Sequence, residues 1–531
     1  MRRLAALFVL STPLFAPAQQ APAKDHDPAR AFFARGEIVA VRITLAAAER
    51  QKLRDKAREY ATADLTIDGA AFAKVGVKLK GAAGSFREID DRPGFTVHLG
   101  KFGSEGRLSG LTRFHLNNGV QDDSRLCEWL GHEVFAAASL PAPRVAHARV
   151  WLDGKDLGLY VLREAFDRQF LTRTFGTAAG NLYDGGFCQD VDADLEKDSG
   201  DGPDDHADLH ALRDLCRGVD QRRGDALVAR VELGPFVDFL LLESMLGHWD
   251  GYSRNANNYR LWLPTDGRAM FLPHGMDQLF GDAGYSVLDH PSAIVASAVL
   301  QVPANRKRYR ERLKALLPLF APSRLLPKIE AIAARLQKEL RGDPDAARAH
   351  ADAVRDLIER VRARAENLEQ QSRAPEPKPL QLAVGKALAL KNWNPAAETE
   401  RLELEKKSWQ GVTALNARCV ERGDDVRHGA FRTHLLLGKG RYQLRGTART
   451  EGVVLPPPGK DADEGENRGV YLRVDDHASE RLAGDHNWTA LVCEFEVGEF
   501  QKNVELNCEL LAVAGRVWFR FDSLQLVRVP D

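Results

Sequence analysis

The stretch that decides the fold is His248-Trp249-Asp250, then Asn255 and Asn257-Asn258-Tyr259-Arg260-Leu261-Trp262-Leu263, then Pro273-His274-Gly275-Met276-Asp277. Residues 258–263 read as a strand and 269–272 as its antiparallel partner, with Pro264-Thr265-Asp266-Gly267 supplying the turn. A hairpin brings its two ends together. Asp250 precedes the first strand and Asp277 follows the second, so the two carboxylates are expected to converge at the open end, with Asn255 on the loop between. Two acids and an amide there form a hard, oxygen-rich site suited to a divalent cation carrying phosphate oxygens. The step from Asp250 to Asn255 matches the Asp-x-x-x-x-Asn of phosphoryl-transfer catalytic loops, in which a hairpin leads on to a metal-binding Asp. The spacing alone is weak, because Asp and Asn in loops are mostly turn formers.

Working outward, 531 residues are too many for one hydrophobic core, and two or three domains are expected. Lys+Arg 74 against Asp+Glu 75 leaves no basic footprint, which argues against a nucleic-acid or anionic-membrane protein. Arg2-Arg3, the apolar run 4–15 and Ala16-Pro17-Ala18 read as a secretory signal over residues 1–18, too short to span a bilayer. No later segment is a transmembrane candidate, so an exported protein of the periplasm, cell envelope or exterior is expected. Six cysteines are few for a disulfide scaffold, and no Cys-x-x-Cys or Cys/His cluster points to zinc. Cys493 and Cys508 fit either a pair on neighbouring strands or two buried thiols.

From 38 the pattern reads strand (38–45), helix (46–60), then strands 63–67 and 74–80 joined through Asp68-Gly69. In the last of these, Val75, Val77 and Leu79 face one way while Lys74, Lys78 and Lys80 face the other. Gly81-Ala82-Ala83-Gly84-Ser85 is a small-residue loop before a strand at 94–99. Ser124 reads as the cap of a helix over 125–138. Strands 145–152 and 157–163 form a hairpin around Asp153-Gly154. A mostly helical half runs from about 205 to 370, closing with helix 344–369 capped by Asp343. The acidic run 190–208 holds nine carboxylates, but Leu195 and Asp201 stand where a calcium loop needs Gly and a bidentate acid; a solvated loop and a calcium loop are the two readings. The expected class is α+β: a two-lobed domain over 35–370, a Pro-rich linker over 371–382, and an all-β jelly-roll sandwich over 383–531.

Taken in order, Gly76-Val77-Lys78-Leu79-Lys80-Gly81, Leu116-Asn117-Asn118 with Asp122-Asp123-Ser124, Pro141-Ala142-Pro143, Gly158-Leu159-Tyr160-Val161 with Glu164, the Asp250/Asn255/Asn257-Asn258-Tyr259 block and 273–281 resemble the CotH family of secreted and spore-coat kinase-like proteins. The resemblance covers roughly 35–370. It implies an atypical protein-kinase-like fold that binds ATP with Mg, or Mn in its place, and phosphorylates Ser of partner proteins. Carried over, Asp250 is the catalytic acid, Asp277 the metal Asp, Asn255 a metal-side amide and Lys80 the phosphate lysine. Glu128 either pairs with Lys80 or faces solvent, and Glu164 lies near the inter-lobe hinge beside the nucleotide. Relatives carry Lys on the strand after the small-residue loop, where this chain has Thr96 and His98. They also carry an acid two residues before the metal Asp, where it has Gly275. His98 and His274 read either as substitute phosphate donors or as packed side chains. The C-terminal region loosely resembles carbohydrate-binding jelly rolls, with Trp393, Trp409 and Trp488 as sugar-stacking candidates and Trp518 as a core residue. Three functions compete: a secreted Ser kinase, a glycan-binding envelope or surface protein on a kinase-like scaffold, and a protein adenylyl transferase.

Overall fold

In the computed structural model, alternating apolar residues between 39 and 164 roll into a closed barrel. The residues described are 27–103, 106–217, 221–397, 399–420, 425–456, 468–475, 477–498 and 501–530; the signal-like segment 1–18 lies outside them. The barrel strands are β1 (Val39–Leu45), β2 (Ala61–Ile67), β3 (Ala70–Lys80), β4 (Gly94–His98), β5 (Arg113–Asn117), β6 (Val145–Leu152) and β7 (Lys155–Glu164). They pair in the order β1-β2-β3-β4-β5-β7-β6, closed by a parallel β1–β6 ladder that leaves no free edge. Its core holds Val41, Ile43, Val75, Val77, Leu79, Phe95, Phe114, Leu116, Val150 and Leu162. On β3 the alternation read from the sequence holds from Val75 to Lys80, so Lys80 ends the strand on the face opposite Leu79, whereas Lys74 is left-handed (φ 53°) at a bulge that breaks it.

Four helices bear on the cleft: α1 (Cys127–Ala137), α2 (Leu233–Leu246), α3 (Tyr252–Asn255) and α4 (Pro344–Arg373). Helix α1 packs into the second core, not the barrel's, along with α2. Its cap differs from the sequence expectation. Arg125 turns left-handed (φ 61°), which separates Ser124 from the helix, and the Asp122 carboxylate accepts from Cys127 N–H at 2.9 Å instead. Asp343 does cap α4, accepting from Ala346 N–H, but the helix runs on to Arg373, so extended chain begins only at Ala374. Arg364 on α4 is fully buried and donates to the carbonyls of Ser244, Met245, Ala283 and Tyr285 at 2.6–2.9 Å. Two of those carbonyls end α2, where a cation is favoured.

A second sheet, ordered β11-β10-β8-β9, sits in the helical half: β8 (Gly180–Asp184), β9 (Glu196–Ser199), β10 (Tyr259–Pro264) and β11 (Met270–Pro273). The hairpin read from 258–272 is β10–β11, with Tyr259 opposite Pro273 and Trp262 opposite Met270.

Beyond the linker, and among the described residues, a seven-stranded sheet packs on a five-stranded one around Leu415, Phe431, Leu444, Cys493, Leu506, Cys508 and Phe519. The hairpin Leu402–Trp409 with Val412–Cys419 was not legible, because Lys406-Lys407 interrupt the alternation that Leu402-Glu403-Leu404-Glu405 begins. All six cysteines are free thiols. Trp518 is buried, but under a surface cluster: Trp409 lies 5.3 Å from it and Trp488 lies 6.3 Å from Trp409. Arg449 stacks on Trp409, and Trp393 donates to the Leu390 carbonyl. No helix among the described residues is long and apolar enough to cross a membrane.

Glu509, 1% exposed, shows how the sandwich holds a charge. Burial alone raises its pKa, but hydrogen bonds from His428, Arg473 and Tyr471 prevail and hold it at about 2. A folded pKa below the unfolded one gives stability that is present above the unfolded value and lost as pH falls toward the folded one. Denaturant melts of the wild type should therefore lose stability as pH drops from about 4 toward 2, and Glu509→Gln should remove that part of the slope.

Candidate active-site cleft

The barrel and the helical half meet at a cleft of about 770 Å³, within the range of roughly 300–1000 Å³ usual for ligand sites. Lys80, Asn117, Glu128, Val161 and Arg163 line one wall. His248, Trp249, Asp250, Asn255, Asn257, Asn258, Arg260, His274 and Asp277 line the other.

On the second wall, the loop after α2 is folded back by left-handed Ala256 and Asn258. Asn257 Nδ2 thereby reaches Asp250 Oδ1 at 3.0 Å, and Asn258 Nδ2 reaches Asp250 Oδ2 at 2.7 Å and its backbone oxygen at 2.9 Å. Two amides thus aim one carboxylate. Asn255 also lines the cleft, but its side chain is exposed and donates to the Trp249 carbonyl at 3.1 Å, without contact to Asp250. The side-chain oxygen of Asn258 faces Gly275 so closely that a Cβ there would lie 2.2 Å from it. Gly275 is also left-handed, at φ +56°. The missing acid at 275 therefore makes room for an amide between Asp250 and the turn bearing Asp277.

Two further contacts set this wall. His248 Nε2 donates to the His274 carbonyl at 2.9 Å, tying the Asp250 loop to the Asp277 turn. Since a carbonyl only accepts, Nε2 carries the proton, and burial lowers the ring's pKa. Glu243 on α2, fully buried, accepts from the N–H groups of Tyr252 and Ser253 at 3.0 Å each, capping α3 from a distance. Burial drives Glu243 up to about 8 against the pull of those donors. Asp277 is raised to about 6, chiefly by burial and then by Glu128, with Lys80 pulling the other way.

Across the cleft, Lys80 Nζ donates to Asn117 Oδ1, and Asn117 Nδ2 donates to Glu128 Oε2 at 2.5 Å. Burial, with Arg163 next, lowers Lys80 to about 8. Glu128 is buried, which corrects the solvent-facing reading; it meets Lys80 through Asn117 and pairs directly with Arg163 at 3.4 Å. Glu164 does not reach the cleft. Successive strand residues face opposite ways, so Arg163 enters the cleft while Glu164 turns to Arg144 and Arg173 at 2.7 and 2.9 Å. Thr96 hydrogen-bonds His115, and His98 packs edge-on to Tyr60; neither lines the cleft. His274 does line it, and accepts from Arg163 at 2.9 Å.

Arg163 and Arg260 were missed in the sequence. The signal was there for Arg163, which shares a strand face with cleft-lining Val161. Arg260 pairs with Asp184 at 2.6 Å and Asp198 at 3.4 Å. Asp198 belongs to the acidic run, as do Asp190, which accepts from Val191 and Ile294 N–H and from the Tyr252 hydroxyl, and Asp208, which accepts from Tyr183. Those three acids hold structure, while Asp192, Asp194, Glu196, Asp201, Asp204 and Asp205 of the same run are exposed, as a solvated loop requires. Among the described residues, no group of three or more His, Cys, Asp or Glu side chains is placed to hold a metal ion. Below Lys80, Gly81 takes a positive φ and packs so closely on the Phe86 backbone that a Cβ would lie 2.9 Å from it, which closes the small-residue turn. Buried cations and a buried carboxylate suit the donor set of a metal-bound polyphosphate.

The match to a family model sets the class first, a kinase-like protein. The chain belongs to the CotH family: the family described as CotH kinase protein matches residues 77–368, more than half of its length. Among curated proteins nothing matches. Of solved structures, HipA in a Shewanella oneidensis MR-1 toxin–antitoxin complex with HipB and operator DNA is 16% identical, covering 56% of this chain and 68% of its own at a TM-score of 0.27. TmCBM61 in complex with β-1,4-galactotriose is 13% identical, covering 26% and 88% at 0.18. A family 11 carbohydrate-binding module of a Clostridium thermocellum cellulase is 12% identical, covering 28% and 98% at 0.16.

Gly275→Ala is expected to cost roughly 1 kcal/mol or more from the left-handed backbone alone, plus displacement of Asn258, read as a lowered denaturation midpoint. Gly281→Ala is the control, since its Cβ would meet only the Gln278 carbonyl at 4.0 Å.

Proposed function

We propose that this chain is an exported protein kinase that moves the γ-phosphate of ATP to Ser hydroxyls of partner proteins. The observation that carries the reading is Asp250, aimed by Asn257 and Asn258 into the same cleft as Lys80 and Asp277. Bound ATP with Mg or Mn supplies the transferable phosphoryl group and its charge neutralisation. Asp277 is the metal carboxylate, with Asn255 or the better-placed Asn258 as amide ligand. Lys80 holds phosphate oxygens above Gly81. Asp250 orients the acceptor hydroxyl and takes its proton as the new ester bond forms and the bond from the γ-phosphorus to the β–γ bridging oxygen breaks, with ADP as the leaving group. Glu128, through Asn117, keeps Lys80 in place. Trp249 and Phe187, 47% and 71% exposed at the cleft's edge, are where an acceptor chain would pack.

The unit that does this is residues 35–370, joined through 371–382 to the sandwich of 383–531. A second reading, glycan attachment at the cell envelope, is favoured by the half-buried Trp409 and Trp488 on the sandwich surface. Adenylyl transfer is the third, with the nucleotide reversed in the same cleft.

Incubation of the purified protein with Mg, secreted acceptor proteins and ATP labelled at α or γ separates these. Protein-bound γ label is expected, falling at least about a hundredfold in Asp250→Asn. Asp277→Ala is expected to abolish metal-dependent ATP binding as well, seen by calorimetry. Transfer of α label means adenylylation, and transfer of neither with no ATP binding leaves the glycan-binding reading.

A further inference from the structure

Arg163 is 3% exposed in the cleft wall, and its charge is only partly answered. Its contact with Glu128 is long at 3.4 Å, against roughly 2.7–2.9 Å for a good charge-assisted bond. A second N–H goes to the neutral ring of His274. Its Nε–H is buried with no partner among the described residues. The neighbouring charges do not make up the difference. Arg260 takes Asp184 and Asp198 for itself, and Lys80 is bonded to an amide oxygen. Glu128 is thus the one carboxylate that Arg163 touches and that Lys80 reaches through Asn117, with Asp277 acting on both from farther off, on the wall of a cleft large enough for a polyanion. A buried guanidinium in that state is stabilised by an incoming anion, and its planar fork matches phosphate oxygens.

We propose that Arg163 contacts the nucleotide's phosphates directly, so that the anion is held by an ammonium from β3 and a guanidinium from β7. The assignment rests on the proposed nucleotide-binding role of the cleft. It places the second cation two residues along β7 from Val161 on the same strand face, and explains why Glu128 answers two cations rather than one.

The test is calorimetric titration of the full chain with MgATP and, separately, magnesium tripolyphosphate. Arg163→Met should weaken both by about tenfold or more, and Arg163→Lys should recover part of the loss. Because Arg163→Met leaves the buried Glu128 carboxylate with the Asn117 N–H alone, Arg163→Gln, which keeps a neutral donor there and leaves Glu128 to hold Lys80, is titrated alongside, and circular dichroism checks that each variant is folded. Unchanged affinity for either probe in a folded variant lacking the guanidinium overturns the proposal while the nucleotide reading stands. A wild type that binds neither probe overturns both.

Discussion

The cleft depends on a chain of charge and amide, half-buried at Lys80 and Asn117 and buried at Glu128 and Arg163, that links three barrel strands to α1. Each member is expensive to bury alone, and each is tolerable only because the next is there. Glu128 is the hinge of this arrangement. It arrives on a helix that belongs to the second hydrophobic core, yet its carboxylate serves cations from the barrel. The two halves of the domain are therefore registered by electrostatics at the site itself.

The opposite wall is organised by backbone. Left-handed Ala256, Asn258 and Gly275 bring a short loop and a turn within reach of one another. His248 then ties the two with one hydrogen bond, and Glu243 supplies the cap that α3, with four residues, cannot supply from its own sequence. What looks in the sequence like a lost acid at position 275 is a steric requirement, since Asn258 fills the volume a side chain there would need.

Much of this was legible. The hairpin β10–β11, the β3 alternation that sets Lys80 apart from Leu79, and the Asp343 cap all come from short-range pattern. Lys80, Asp250, Asn255, Glu128 and Asp277 were read as site residues, and all five line the cleft. Glu164 was read as one and is absorbed by Arg144 and Arg173 behind the strand. Arg163 and Arg260 were overlooked because a strand arginine is ordinarily solvated, and only the barrel's closure and the packing of the helical half bury these two. The helix cap moved from Ser124 to Asp122 because of one left-handed residue, Arg125, which no propensity predicts.

The sequence by itself determined many of the secondary elements, the two faces of β3, and the order of the family's motifs along the chain, because those depend on periods of two and 3.6 residues and on local turn chemistry. The tertiary structure alone decided which charges meet: Glu128 with Arg163, Asp198 with Arg260, Asn258 with Asp250 and Gly275. Residues between 8 and 62 positions apart make or break those pairs, and burial, which turns a surface charge into a site, is set by the whole fold and not by any one segment.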